Sequence, residues 1–386
     1  MMQQSGLRVS CSLMQGQFML ARMKFKKTLL LKDCWGCPDK KMNFIFTEDQ
    51  IQFKEAIKSF LIDECTPKSI REGWEAKRSF NLDRWSSLID LGVLSSNLPE
   101  EKGGLGMDQV TLALMVEEMG YAGLPEPVAE QTFLINDLIS ILPQKITEAI
   151  EDHYEAGTKY ISLAHPLAPN PLFANDSAGL IIFSESECKF ISKDDMDIEL
   201  ITSNDPSREI YRINSIKNSI SSNENFTELN TAVCARGALM TAALLIGLAQ
   251  KMIDLSSAYV LDRTQFGKPI GSFQAVKHML ADVAVRIEFA KPAVYRAAYS
   301  LAENNPKSAL HCAHAKFMCA QAVELACKNS IQAHGAMGYT WEMDLHIYMR
   351  KAWSMMACWG NEDRQQDIIF KTLASSNEEL GVLYTF

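Results

Sequence analysis

From Asn230 onward the chain is too apolar and too poor in turn residues to fold as anything but long packed helices. Ala232 through Val260 is rich in Ala, Leu and Met, and Val276, Met279, Leu280, Val283 and Ile287 fall at the spacing of one buried helix face. Pro292 is predicted to kink or interrupt that second helix, because proline lacks the amide proton that the helix ladder needs. The pattern resumes from Ala309 to Ile331 and from Trp341 to Ala357, which predicts a four-helix bundle as the C-terminal domain, residues 229–386.

Upstream the period is different. Thr47-Glu48-Asp49-Gln50 has the form of a capping box, and the apolar positions Ile51, Phe53, Ile57, Phe60 and Leu61 predict a helix over about 47–63. A second helical stretch, Leu82 to Leu91, ends at Gly92, and a third runs from Val110 to Met119. Between them Asn97 to Gly106 reads as a tight turn that needs positive φ, in preference to a phosphate loop. Short β-prone runs at 180–183, 189–191, 198–201 and 210–213, separated by Ser, Asn, Asp and Gly, predict a small β domain. The fold class is therefore mainly α with a small central β domain: an N-terminal helical domain (42–150), a shortened, barrel-like middle domain (151–228) and the bundle.

Residues 1–41 carry Arg8, Arg22, Lys24, Lys26 and Lys27 before the first acidic residue, Asp33, and are read as an extension outside the fold, which begins at Met42. The chain has 386 residues and a net charge of −9, which excludes electrostatic binding of nucleic acid or an anionic membrane surface. No window reaches the ~18 consecutive apolar residues of a membrane span. Ten scattered cysteines fit reduced thiols in a cytoplasmic compartment, and the single CxxC pair, Cys34 and Cys37, has no second pair to complete a zinc site.

Two segments carry the functional signal. Arg263-Thr264-Gln265-Phe266-Gly267-Lys268-Pro269-Ile270-Gly271-Ser272-Phe273-Gln274 and Gln332-Ala333-His334-Gly335-Ala336-Met337-Gly338-Tyr339-Thr340 resemble the paired C-terminal signatures of the acyl-CoA dehydrogenase family. The resemblance implies FAD as cofactor and an acyl-CoA thioester as substrate. It also implies that Arg263 pairs with the dinucleotide pyrophosphate, that Phe266 packs on the adenine-ribose side and that Gln274 reaches the same cofactor. Gln332, Gly335 and Gly338 would bring backbone amides close to phosphate. An arginine suits pyrophosphate because its planar fork gives two parallel charge-assisted bonds. His334 and His346, without carboxylate neighbours at ligand spacing, read as surface or interface histidines rather than as metal ligands.

The family removes the α proton of the thioester with a glutamate while hydride leaves the β carbon for the flavin. Counting from Gln332 places that glutamate on Trp359, and the minority position, on the first bundle helix, falls at about Gly237. Neither can take a proton. Glu362 and Asp363 follow closely, and Glu362 is the candidate for a relocated base. In the middle domain Ser162-Leu163-Ala164-His165-Pro166 stands where the family's Thr-Glu-Pro holds the flavin ring, with no Gly-Ser-Asp after it. Asn204-Asp205-Pro206-Ser207-Arg208 resembles the family's Asp-x-x-Arg turn. These departures resemble a bacterial branch in which two different acyl-CoA dehydrogenase-like chains pair, which implies a second such subunit and an acyl group from fatty acid or sterol side-chain oxidation. A self-sufficient enzyme using Glu362 and a cofactor-free scaffold of the same fold are the alternatives.

Overall fold

The computed structural model describes residues 45–153 and 159–375. The extension and the Cys34/Cys37 pair lie outside the described residues.

Helix α1 (Glu48–Glu64) starts at the expected capping box, with Thr47 and Gln50 exchanging side-chain and backbone bonds. Helices α2 (Pro67–Glu75), α3 (Leu82–Asp90) and α4 (Gln109–Ala122) follow. The loop before α4 spends its own amides: Gly103 donates to Glu100, Gly104 to Pro99 and Gly106 to Leu98. With those donors used internally, the loop is a turn and not a phosphate cradle. A short helix α5 (Val128–Glu130) continues through a wide π turn (Gln131–Ile135) into α6 (Asn136–Ile141), and α7 (Gln144–Glu151) ends this layer.

The middle of the chain forms strands β1 (Ile161–Ala164), β2 (Gly179–Phe183), β3 (Cys188–Ser192), β4 (Met196–Ile201), β5 (Ile210–Ile216) and β6 (Ile220–Ser222). One sheet has the order β1-β2-β3-β6, with β1 parallel to β2 and the other pairs antiparallel. Strands β4 and β5 form a separate two-stranded ribbon with a register shift at Asp197/Ile198.

Helix α8 (Thr227–Asp262) is the spine of the molecule. It is long and apolar enough to cross a bilayer by mean hydropathy, yet its most apolar stretch is 83% buried inside the fold, as expected of a core helix. It meets α4 at two glycines: a Cβ added to Gly247 would lie 2.0 Å from the Glu117 carbonyl oxygen, and one added to Gly120 would lie 2.3 Å from that of Leu244. This backbone contact welds the N-terminal helices to the bundle, and any side chain at either position would pry them apart.

A small hairpin, β7 (Thr264–Gln265) and β8 (Lys268–Pro269), leads into α9 (Gln274–Ala302), then α10 (Ser308–His334), α11 (Leu345–Met356) and α12 (Glu362–Ser375). The bundle thus has three long helices, with two short ones where a single fourth was expected. Pro292 does not interrupt α9. Its neighbours Ala290, Ala293, Val294 and Ala297 are buried, while Pro292 itself is exposed, so water can satisfy the carbonyl it leaves unpaired. Of the five apolar positions that marked this helix face, Val283 and Ile287 are buried, and Val276, Met279 and Leu280 are half-buried.

Candidate functional site

The residues singled out in the sequence divide into an outward face and an inward cleft. On the outward face, Phe266 and Gly267 form the tip of the β7–β8 hairpin with φ of 52° and 76°. Positive φ at both central residues is the hallmark of the type I′ turn, whose twist suits a tight hairpin, and a non-glycine residue pays for it in strain. The strain projects the Phe266 ring into solvent, where it is 92% exposed. The Ile270 amide donates to the Arg263 carbonyl at 2.8 Å and closes the hairpin. Arg263 and Gln274 are exposed, and neither side chain has a hydrogen bond or ion pair among the described residues. Gln332 and Tyr339 are exposed as well. Gly335 ends α10 at φ 58°, ψ −138°, a region open to glycine alone, and nothing lies within 4 Å of where its Cβ would be.

The inward cleft is filled. Trp359 is 4% exposed, and its indole stacks on the His165 ring with centroids 5.0 Å apart and planes 27° from parallel. His165 in turn stacks on Phe183 at 6.3 Å. The other side of the indole lies against Gly237, where an added Cβ would come within 2.2 Å of the ring. Thus both positions at which the family resemblance looks for a glutamate meet in space, and the tryptophan at one occupies the gap left by the glycine at the other. His165 belongs to the segment that the resemblance assigns to the flavin ring, so three segments far apart in sequence close on one point.

The loop bearing Trp359 is held from every side. Trp359 and Gly360 have φ of 57° and 97°. The Trp359 amide donates to the Leu167 carbonyl at 3.2 Å, and Gln365 Nε2 donates to the Trp359 carbonyl at 3.0 Å. His165 Nδ1 accepts from the Leu167 amide at 3.1 Å, so its Nε2 carries the proton and donates to Asn230 Oδ1 at 2.8 Å. Burial pushes the imidazole pKa down, which keeps the ring neutral. Arg208, the end of the Asp-x-x-Arg turn, donates from Nη1 to the Ser354 carbonyl at 3.0 Å and to Cys358 Sγ at 3.3 Å. Lys316, buried in α10, donates to the carbonyls of Met355 and Met356 at 3.1 and 3.2 Å, and burial lowers its pKa to about 8.

Glu362 accepts from Gln321 Nε2 at 3.1 Å on the α10 side, and it lines neither of the two voids beside the cleft. The carboxylate that lines both is Glu130, which sequence reasoning missed; Glu126 lines one of them but is paired with Arg84. Burial raises its pKa against the opposing pull of the Arg208 guanidinium. No local motif announces Glu130; its only structural mark is its place at the edge of the π turn, a distortion that often accompanies functional sites. The voids, both walled by Leu172 and Met355 and one of them by Trp359, have room for little more than a water molecule each. No group of three or more His, Cys, Asp or Glu among the described residues could hold a metal ion.

Family models match this chain over two long stretches: an acyl-CoA dehydrogenase N-terminal domain over residues 47–140 and an acyl-CoA dehydrogenase C-terminal domain over residues 229–374. The acyl-CoA dehydrogenase IpdE2 of Mycolicibacterium smegmatis is 27% identical over 307 residues, covering 79% of this chain and 93% of its own length. Among solved structures, the ChsE4-ChsE5 complex from Mycobacterium tuberculosis matches with a TM-score of 0.78 at 19% identity, over 87% of this chain and all of that one. Butyryl-CoA dehydrogenase from Megasphaera elsdenii matches with a TM-score of 0.77, also at 19% identity, over 86% of this chain and all of the other. FAD is the cofactor of this family. The outward face fits it, with an uncommitted guanidinium, an exposed aromatic ring and open space above Gly335; the inward cleft does not, because Trp359 and His165 already fill it.

Proposed function

We propose a division of labour, starting from the fact that this chain belongs to the acyl-CoA dehydrogenase family. The family function is the FAD-dependent α,β-dehydrogenation of an acyl-CoA thioester. This chain is the subunit that lends binding groups to a flavin held mainly by a second acyl-CoA dehydrogenase-like chain, and that second chain supplies the glutamate base. One observation carries the reading: the indole of Trp359 lies between His165 and Gly237, where a base and its substrate would need to be.

The bound flavin supplies the hydride acceptor. Arg263, exposed and without an ion pair among the described residues, would hold the pyrophosphate through charge-assisted N–H bonds. Phe266, preset by its turn, would cover the adenine-ribose side and exclude water there. Gln274 would add one neutral donor; the Gly335 amide is spent on the Gln332 carbonyl, so what Gly335 would contribute is room for the cofactor to come close to the backbone without a side chain intervening. No residue of this chain takes the α proton; general-base catalysis is worth ~10² to 10⁴ in rate, so the chain alone turns over little.

Co-purification with an acyl-CoA dehydrogenase-like chain that keeps its glutamate tests the reading. The expected result is a colourless chain in isolation and one FAD per two chains in the active complex, with Arg263→Ala releasing the flavin. Stoichiometric flavin and acyl-CoA-dependent bleaching by this chain alone would overturn it.

A further inference from the structure

His334 is the last residue of α10, yet its ring reaches beyond that helix. It is 3% exposed and stacks on Tyr259 with centroids 4.4 Å apart and planes 21° from parallel. Its Nδ1 donates to the Ser330 carbonyl at 2.8 Å, which fixes the plane of the imidazole, since a carbonyl can only accept. Tyr259 sits one turn before the end of α8, and its own carbonyl accepts the Arg263 amide at 2.9 Å. The Arg263 carbonyl then closes the hairpin through Ile270. On the other side His334 precedes Gly335, and the loop folds back so closely that a Cβ on Gly338 would lie 3.1 Å from the His334 Cβ. One ring therefore touches the root of the Arg263 segment and the root of the Gly335 segment. Ser330 adds a second tie between the same helices, its hydroxyl donating to the Met252 carbonyl at 3.3 Å.

We propose that His334 is a positioning residue: its stack on Tyr259 sets the distance and angle between Arg263 and the Gly335 loop, so that both reach one dinucleotide. This rests on the outward face being a flavin-binding surface, but its first consequence does not need flavin. In the chain alone, His334→Ala should raise hydrogen exchange at the Arg263 and Ile270 amides by up to about tenfold, the reach of one aromatic pair, and leave the core of α8 unchanged. His334→Phe, which keeps a ring in place, should restore the protection. His334→Leu fills the space without a ring and serves if the alanine variant fails to fold. In the flavin-loaded complex, far below the unfolding temperature, His334→Ala should weaken flavin retention by a similar factor, with the loss recovered by His334→Phe.

Unchanged exchange in both the alanine and leucine variants overturns the proposal. So does faster exchange with flavin fully retained in His334→Ala while Arg263→Ala releases it. If neither Arg263→Ala nor His334→Ala releases flavin, the outward face is not a flavin surface, and the positioning role falls with it.

Discussion

The outward face at 263–274 and 332–339 and the inward cleft around Trp359 are built on the same helices, α8 and α10 among them, but they place their polar and apolar groups in opposite ways. The face keeps Arg263 and Gln274 exposed with no side-chain hydrogen bond or ion pair among the described residues, and holds Phe266 in a left-handed conformation where its ring meets only Phe273. The cleft leaves little uncommitted: Trp359, His165 and Gly237 interlock, and Gln365, Leu167, Arg208 and Lys316 brace the loop around them. A surface that keeps costly, uncommitted groups is shaped for something outside the chain. An interior that spends every group on itself is shaped for stability. Where the resemblance looks for a glutamate the chain has packed core, while the neighbouring face stays open.

The comparison breaks most visibly at Trp359. If the indole is core, Trp359→Ala should cost about 3–5 kcal/mol in chemical denaturation of the chain, as for other buried aromatic truncations. The turnover of the paired enzyme, assayed below the variant's unfolding temperature, should remain within about twofold. A variant that stays folded and paired yet loses turnover would mean that Trp359 acts in the reaction, and the two regions would then share one job.

Lys316 tests the bracing beneath that loop. Its ordinary pKa of 10.5 falls to about 8 in the fold because burial penalises the charged amine. Below pH 8 both states are protonated and the folded state bears the full burial cost. Between 8 and 10.5 the unfolded chain binds more protons than the folded one, so this group makes stability rise with pH by up to a few kcal/mol. The buried thiols of Cys312 and Cys327, pushed up to about 12, act in the opposite direction above pH 9. The clean measurement is therefore the stability of the protein minus that of Lys316→Met between pH 7.5 and 9, on the order of a tenfold change in proton activity or more. The difference should climb with pH, and a flat difference would mean that the amine is not buried as a charge.

Gly237→Ala comes next. A Cβ 2.2 Å from the indole cannot be accommodated without movement, so it should cost about 1–3 kcal/mol in the natural chain. In a Trp359→Ala background the clash is gone, and the same change should become neutral or stabilising by ~0.5–1 kcal/mol through helix propensity. Equal costs in both backgrounds would show that the two residues do not interlock.

The sequence was legible where structure is local. Thr47 to Gln50 states its helix start in four residues, and the two signature segments carry their turn glycines in plain view. The equivalence of positions 237 and 359 came from family spacing alone, and the direct contact between them is a property of helix packing over more than a hundred residues. Glu130 was invisible for the same reason: a carboxylate beside an alanine and a glutamine has no motif, and only the docking of Arg208 and Met355 across from it makes it the acid of a void. Pro292 does not end α9 as one of the two expected outcomes had it: the packing of Ala290, Ala293, Val294 and Ala297 outweighs the lost bond, and exposure at the proline lets water reach the freed carbonyl.

The smallest effect separates face from core most directly. Phe266 is held at φ 52°, where a residue with a Cβ pays ~1 kcal/mol or more and glycine pays almost nothing. Its ring packs edge-on to Phe273 at 6.2 Å but is otherwise in solvent, so little is lost when it goes. Phe266→Gly should therefore leave the isolated chain as stable as before, or more stable by up to about 1 kcal/mol, once the greater freedom of glycine in the unfolded state is set against the relieved strain. In the flavin-loaded complex the proposed role of the ring on the adenine-ribose side predicts that the same substitution weakens cofactor retention. A residue that costs its own chain stability and returns it only in the assembly is what the outward face predicts. If Phe266→Gly destabilised the isolated chain and left flavin retention unchanged, Phe266 would belong with the self-serving core instead.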